Sequence, residues 1–583
     1  MTTLITQRPL IHDPSALATL PLILQRIFAA RGVQHPDDMN QKLDSLLPFH
    51  SLLDIEKACR RIEGAIRQQE QILIVGDFDA DGATSTALAV SALRCFGAEN
   101  VDFLVPNRFE YGYGLSVDLV EFAKSKNPHL KLIITVDNGI CNIEGVETAQ
   151  AAGIDVIVTD HHLPGETLPP AIAIVNPNQP HDPFPSKSIA GVGVIFYVML
   201  ALRRHLTNQG WFDERGEKSP NMAQFLDLVA LGTVADVVAL DKNNRTMVKQ
   251  GIERIRQGLA RPGIMALVRV AGRQYSILKA SDLGYAVAPR LNAAGRLEDM
   301  SIGIACLLSD NQTQALEIAE QLDTLNQERR AIEADMRGQA LQNIQDWMTL
   351  IEKGKELPVA LCLMDKAWHQ GVIGILAGRL KDRYHRPTII FAEAPDGILK
   401  GSARSVSGLN IRDVLAAVDR DYPQLISKFG GHAMAAGLTL STADFESFKQ
   451  AFITEVEKHL DLSQCIGTIW TDGPLTSDDF TIETAQLLQE SGPWGQQFPE
   501  PCFDNIFILL EQKIVGSNHL KLTFALPECG TILDGIFFNI EKNSWPNMQV
   551  KRARVAYRLD INRYQGKSRL QLLVEAIHPI INE

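Results

Sequence analysis

Three carboxylates alternate along one short stretch, Gly76-Asp77-Phe78-Asp79-Ala80-Asp81-Gly82. Like charges this close repel each other, and a cation is the natural compensation. Oxygen ligands of this hardness suit Mg²⁺ or Mn²⁺. The spacing echoes a calcium loop, but the glycine and the distant bidentate glutamate of an EF-hand are missing. Three further groups carry the same chemistry: Asp137 in Val136-Asp137-Asn138-Gly139, the run Asp160-His161-His162, and Asp236 in Gly232-Thr233-Val234-Ala235-Asp236. A lone Asp at a strand end is usually a helix cap, whereas four such clusters on one edge make a site. Together they offer enough carboxylates and imidazoles for two metal ions about 3.5–4 Å apart that share a carboxylate. The chemistry of such a pair is in-line attack of an activated water on a phosphorus centre.

These residues need elements to position them. QILIVGD (71–77), KLIITVD (131–137) and DVIVTD (155–160) read as apolar, β-branched strands, each ending in Asp, and AIAIVN (171–176) reads as a fourth. A helical run, ATSTALAVSALRCF (83–96), follows the first. Continuous apolar strands alternating with helices predict a parallel sheet covered on both faces. Ligands bind such sheets beyond the carboxyl ends of the strands, where the aspartate clusters fall. Asp236 is expected on the same edge.

Beyond this α/β region, residues 312–351 carry a long helical pattern with apolar Leu316, Ala319, Leu322, Leu325, Ile332, Met336 and Ile344. Such a helix bridges domains or packs along them. A second α/β segment opens with PVALCLM (358–364), and the last segment is β-rich, with alternating stretches such as RVAYRLDIN and RLQLLVEAI. The expected division is a helical segment over 1–50, a catalytic domain over 51–311, a connecting helix over 312–354, a smaller α/β domain over 355–460 and a β-barrel over 461–583.

Basic residues form a second set. Arg108, Arg290, Arg296 and Arg404 sit in stretches dense in Gly, Asn, Ser or Pro, which read as loops. The forked donors of arginine suit a terminal phosphate. His432, in Gly430-Gly431-His432, is either a substrate contact or a structural turn residue. The stretch KRARVAYRLDINRYQGKSR (551–569) holds seven basic residues and one acidic. Arg554, Arg558 and Arg563 alternate there with Tyr557 and Tyr564, the ingredients of single-strand binding by stacking and phosphate contact.

The whole chain has 583 residues and a net charge of −13, which suggests three or four domains and argues mildly against a nucleic-acid partner. A cluster of metal-binding carboxylates makes a chain acidic without repelling phosphate once metal is bound, and positive potential can be local. The eight cysteines form no CxxC pair, so a Cys-based zinc site is not expected. No apolar run reaches the ~18 residues of a membrane span. MTTLITQRPL lacks a signal-peptide pattern, so the expected compartment is the cytoplasm.

GDFDADG, VDNG, DHH and GTVAD, in this order, resemble the four motifs of the DHH phosphoesterase superfamily. PNRFEYGYGL, AGVGVIFY, APRLNAAGRL, WHQGVIGILAGRL, GSARS, FGGHAMAAG and GPWGQQFPEPCF extend the resemblance over nearly the whole chain, to the RecJ family of single-strand-specific 5′ exonucleases within it. The resemblance implies a parallel-sheet DHH domain, a long helix, a DHHA1 domain marked by GGHAMAAG, and an OB-fold. It also implies two Mn²⁺ or Mg²⁺ ions: Asp79 on one, Asp81, His161 and Asp236 on the other, Asp137 bridging, and Asp77 a ligand or a neighbour of one. His162 would face the substrate phosphate, and Asp160 would orient His161 from behind. Ser402, Arg404 and Arg108 would seat a 5′-phosphate, completed by Arg290 or Arg296. The implied activity is processive 5′-to-3′ hydrolysis of single-stranded DNA to 5′-mononucleotides in recombination and repair. The implied partners are single-strand-binding protein and a RecQ-type helicase, with the enzyme a monomer. A phosphodiesterase for short substrates or a pyrophosphatase would not need the C-terminal strands, and a non-catalytic scaffold would not keep every ligand position filled.

Overall fold

Short apolar runs, most of them buried on both faces, build the five strands of the central sheet. The strands of the chain are β1 (Leu4–Gln7), β2 (Gln71–Val75), β3 (Val101–Leu104), β4 (Leu130–Val136), β5 (Asp155–Thr159) and β6 (Ala173–Val175). They are followed by β7 (Leu361–Asp365), β8 (Thr388–Ala394), β9 (Ile398–Arg404), β10 (Lys428–His432), β11 (Ala435–Ser441) and β12 (Thr468–Thr471). Last come β13 (Phe503–Val515), β14 (His519–Ala525), β15 (Ile532–Phe537), β16 (Arg552–Tyr564) and β17 (Lys567–Pro579). The computed structural model describes residues 3–106, 114–350, 357–461, 465–540, 545–564 and 566–580. Arg108 lies outside these, as does the side chain of Tyr564.

The chain divides into two compact units, one of residues 8–326 and 472–583, the other of residues 1–7 and 327–471. In the larger unit, β3-β2-β4-β5-β6 form an all-parallel sheet. Leu132, Ile134, Val136 and Ile157 enter one apolar core, and Ile133, Val156 and Val158 enter another on the opposite face. Both faces are therefore covered, as the continuous apolar strands require. The C-terminal strands of this unit close into a barrel in the order β13-β14-β15-β17-β16.

In the smaller unit, β10-β11-β9-β8-β7 form one sheet, parallel only between β7 and β8, and β1 pairs in parallel with β12. The start of the chain is thus not purely helical. The helix Gln312–Leu350 contributes Ala315, Ala319, Leu322 and Leu325 to the core of the larger unit. Its Met336, Ala340 and Ile344 join Leu376 and Ile390 in a core of the smaller one. No helix among the described residues is long and apolar enough to cross a membrane.

Several expectations about local structure change. The helix after β2 starts at Ala80, not Ala83, so it runs Ala80–Cys95 with Asp79 as its N-cap. Asp236 follows no strand; it closes the helix Leu226–Ala235. Arg290 and Arg296 lie on the helix Ala288–Leu297, and Arg404 ends β9, so none of these three is a loop residue. Tyr557 is fully buried in the barrel among Phe480, Phe503 and Phe507, and its hydroxyl donates to Asn505 Oδ1 at 2.7 Å. Strand alternation turns this ring into the core, so it cannot stack on a base.

Candidate metal centre

The parallel sheet delivers its acidic groups to one edge because β2, β4 and β5 are neighbouring parallel strands and each is followed within two residues by Asp. Asp77 lies just beyond β2, Asp137 directly after β4 and Asp160 directly after β5. The backbone of Asp137 has φ of 63°, the left-handed region that few residues other than glycine adopt. Asp79 Oδ1 accepts the N–H groups of Asp81 and Gly82 at 2.9 and 3.0 Å. This cap fixes the turn between β2 and the helix and sets Asp81 in the first helical turn.

Asp81 is held from a distant part of the chain. The first two N–H groups of the helix Gly191–Asn208, those of Gly191 and Val192, donate to its two oxygens at 2.7 and 2.9 Å. This helix comes so close that a Cβ on Gly191 would lie 2.6 Å from Asp137 Oδ1, and the helix Leu226–Ala235 so close that one on Gly232 would lie 2.8 Å from Asp81 Oδ1. Asn292 Oδ1 accepts the N–H of Ala80 at 2.8 Å and steadies the same turn. Asn178 and Asn176 donate to the carbonyls of His161 and His162 at 2.6 and 2.9 Å. None of Gly191, Val192, Asn176, Asn178 and Asn292 stands out in the sequence as a site residue. For Gly191 the only signal is a glycine-rich helix start, AGVGV.

The side chains converge. His161 Nε2 lies 3.1 Å from Asp137 Oδ1 and 3.5 Å from Asp236 Oδ2. Three sets each bring their ligand atoms within 4.8 Å of one another: Asp77, Asp79 and Asp137; Asp81, His161 and Asp236; Asp137, His161 and His162. Asp160 Oδ1 lies 2.7 Å from Nδ1 of His162 and also accepts the N–H groups of His161 and His162. Its Oδ2 accepts the N–H of Ile140. The ring that Asp160 engages is therefore that of His162, not the His161 ring expected from the sequence.

The electrostatics are those of a site short of positive charge. Burial, then the charge of Asp79, pushes the Asp81 carboxyl up to about 7. Asp137 and Asp236 are driven well above the carboxylate range, first by burial and then by Asp81 and Asp79. Burial acts on Asp160 in the same direction, but the hydrogen bond and charge of His162 outweigh it and bring it to about 2. Burial lowers His162, and the hydrogen bond and charge of Asp160 outweigh it in turn, raising it to about 9. Asp236 Oδ2 is buried and makes no hydrogen bond among the described residues. Divalent cations fit this donor set, because they supply the missing counter-charge to hard oxygens and one imidazole.

The remaining expected site residues lie elsewhere. Arg290 is anchored by Asp323 at 2.7 Å and by the carbonyl of Val270, and Arg296 is half-buried on the same helix. In the smaller unit, Arg404 Nη1 donates to Ser402 Oγ at 3.1 Å and to the carbonyl of Ala403. A Cβ on Gly374, at the start of the helix Ile373–Tyr384, would lie 2.9 Å from both Arg404 Nη2 and Ser402 Oγ. Burial lowers the Arg404 pKa. His432 is exposed at the tip of the β10–β11 hairpin. On the barrel, Arg554 pairs with Asp504 at 2.7 Å, Arg558 pairs with Glu500 at 2.8 Å and with Glu575, and Arg563 is exposed.

A parallel sheet with clustered carboxylates at its C-terminal edge is the frame of an α/β metal site, and three family models match the chain and give its class. Residues 71–233 match the DHH family N-terminal domain, 356–458 the DHHA1 domain and 471–576 the RecJ OB domain. The chain is 52% identical over 564 residues to the single-stranded-DNA-specific exonuclease RecJ of Escherichia coli, covering 97% of each chain. It is 50% identical over 560 residues to that of Haemophilus influenzae, covering 96% of each. The crystal structure of RecJ in complex with Mn²⁺ from Thermus thermophilus superposes with a TM-score of 0.80 at 27% identity, over 100% of this chain and 80% of that one. The chain belongs to the RecJ family.

Proposed function

We propose that this protein hydrolyses phosphodiester bonds in single-stranded DNA, processively from the 5′ end, and releases 5′-mononucleotides in recombination and repair. The observation that carries the reading is the convergence of Asp77, Asp79, Asp81, Asp137, His161 and Asp236 on one sheet edge, in a chain similar throughout to exonucleases of that specificity. Two Mn²⁺ or Mg²⁺ ions would be held there, one by Asp79 with Asp77 beside it, the other by Asp81, His161 and Asp236, with Asp137 between them. Two of the three sets of ligand atoms, Asp77–Asp79–Asp137 and Asp81–His161–Asp236, support this division. When bound, such ions activate water and neutralise charge on a phosphoryl group.

The chain's own residues supply the rest. Asp160 holds His162 by Nδ1, so a proton on Nε2 would be offered to the substrate phosphate or to the leaving oxygen. The helix start at Gly191 and Val192 keeps the Asp81 carboxylate from swinging. Ser402 and Arg404 would seat the 5′-phosphate, with Arg108 and with Arg290 or Arg296 as further contacts. The half-buried Arg404 guanidinium, which forms no ion pair with a carboxylate among the described residues, supports this seat. His432 would contact substrate, and Arg554, Arg558 and Arg563 would follow the strand backbone on the barrel.

The same reading proposes functional domains over 51–311, 355–460 and 461–583. It also proposes a monomer in the cytoplasm working with single-strand-binding protein and a RecQ-type helicase. The test is incubation with Mn²⁺ or Mg²⁺ and single strands labelled at either end, with duplex and RNA alongside and Asp137→Ala as control. Early release of labelled mononucleotide from 5′-labelled DNA alone, abolished in the variant, is expected. Cleavage of very short oligonucleotides alone would replace the reading with a small-substrate phosphodiesterase.

A further inference from the structure

The larger unit contains a cavity of about 350 Å³ bounded by the end of the helix Lys242–Arg256, by Val237 and Tyr285, and by the segment 489–500. This is the size of a site for one small ligand. Ala235 and Val237, the chain neighbours of Asp236, both line it.

Four cations face this space: Lys249, Arg256, Lys279 and Arg558. Three are matched by carboxylates. Lys279 lies 2.8 Å from Asp560, Arg558 pairs with Glu500 and Glu575, and Lys249 lies 3.5 Å from Glu253. Arg256 differs. Its Nε donates to the carbonyl of Leu278 at 2.8 Å, and no carboxylate among the described residues lies within ion-pair distance. Burial holds its pKa below the ordinary arginine value, only partly offset by the charges of Glu253, Glu490 and Asp282. A half-buried guanidinium facing a cavity without a counter-ion is a seat for an anion, and its fork suits a phosphate.

The rim beside this seat is apolar and exposed. Tyr285 is 87% exposed and Val237 63% exposed. Val237 also has φ of 61°, an uncommon conformation for a β-branched residue. An exposed tyrosine ring and a phosphate seat lining one cavity are the pairing that binds a nucleotide without reading its base.

We infer that this cavity binds one nucleotide unit outside the catalytic centre, its phosphate on Arg256 and its base against Tyr285. The ligand chemistry, a phosphate joined to a heterocyclic base, has two sources: a nucleotide within the strand being degraded, or a free mononucleotide. That Ala235 and Val237, the chain neighbours of Asp236, line the cavity favours the strand. The inference rests on the reading of the protein as a single-strand nuclease.

The test compares Arg256→Gln, Arg256→Lys and Tyr285→Ala with the parent protein in metal-dependent hydrolysis of a thymidine 20-mer and a thymidine dinucleotide. Arg256→Gln and Tyr285→Ala are expected to raise KM for the 20-mer about tenfold, with kcat and dinucleotide hydrolysis unchanged. Arg256→Gln should also lower the salt slope of binding by about one, and Arg256→Lys should restore it. Thymidine monophosphate is tested separately by its effect on Tm. If it stabilises the parent but not Arg256→Gln while strand kinetics are unchanged, the site is for free nucleotide. Unchanged 20-mer KM and unchanged monophosphate binding in both folded variants overturn the inference. If the parent cleaves neither strand, the nuclease reading fails, while the monophosphate arm still reports on the cavity.

Discussion

Asp160 and His162 form a buried acid–imidazole pair, Oδ1 to Nδ1 at 2.7 Å, at the end of the strand that also delivers His161. Asp160 is 1% exposed and meets the metal centre through the backbone N–H groups of His161 and His162 and through this ring. Asp160→Asn keeps an acceptor for the backbone N–H groups but removes the charge that holds the His162 proton. The expected result is a fall in kcat of about a hundredfold with KM and the Mn²⁺-induced rise in Tm nearly unchanged. Equal loss of metal binding would place Asp160 among the groups that hold the ions.

The raised carboxyls give the cation-free protein a distinct pH dependence. In the folded state Asp81 sits at about 7, and Asp137 and Asp236 lie well above an ordinary carboxyl. A group whose folded pKa exceeds its unfolded value stabilises fully below the unfolded pKa, and that contribution is lost as pH rises through the folded one. Without cations, stability should therefore decline from about pH 4 through neutrality. Mn²⁺ replaces the protons, so the Tm gain on adding it should be larger at about pH 8 than at about pH 5. Calorimetry at the two pH values checks this, and a gain independent of pH would contradict it.

Gly191→Ala places a methyl 2.6 Å from Asp137 Oδ1 and 2.7 Å from its Cβ. The carboxylate must move, since the methyl is fixed to a helix backbone. Activity should fall at least about a hundredfold and Mn²⁺ affinity at least about tenfold. The stability cost should be only about 1–3 kcal/mol, typical of overpacking. Metal titration followed by denaturant unfolding separates the two effects.

Tyr557→Phe removes a buried hydroxyl and leaves Asn505 Oδ1 without that donor. About 1–2 kcal/mol of stability should be lost, with single-strand affinity unchanged. Loss of affinity at unchanged stability would restore a surface role to this ring.

Arg404→Gln should weaken binding of 5′-phosphorylated strands about ten- to hundredfold and leave 5′-hydroxyl strands nearly unaffected. Equal weakening of both would make the residue a general backbone contact.

The carboxylates after β2, β4 and β5 were legible because continuous apolar strands and a terminal Asp leave little choice of geometry. Asp236 is legible as a member of the site, but the element that carries it is not. Its LVALGTVA run is buried around nearly its whole surface, so it lacks the one-sided periodicity that separates a helix from a strand. Tyr557 was misjudged because alternation along β16 gives two faces without saying which is inward. The N–H groups that hold Asp81 come from residues 110 and 111 positions away. Only the folded chain brings them there.

The left-handed backbone at Asp137 decides how an inert form of this protein should be built. Alanine there would combine a missing carboxylate with a conformation it tolerates poorly, whereas asparagine is among the few side chains at ease in it. Asp137→Asn is thus the better decoy. It would keep the chain's shape and an oxygen in place, and so could capture an uncut strand for crystallography.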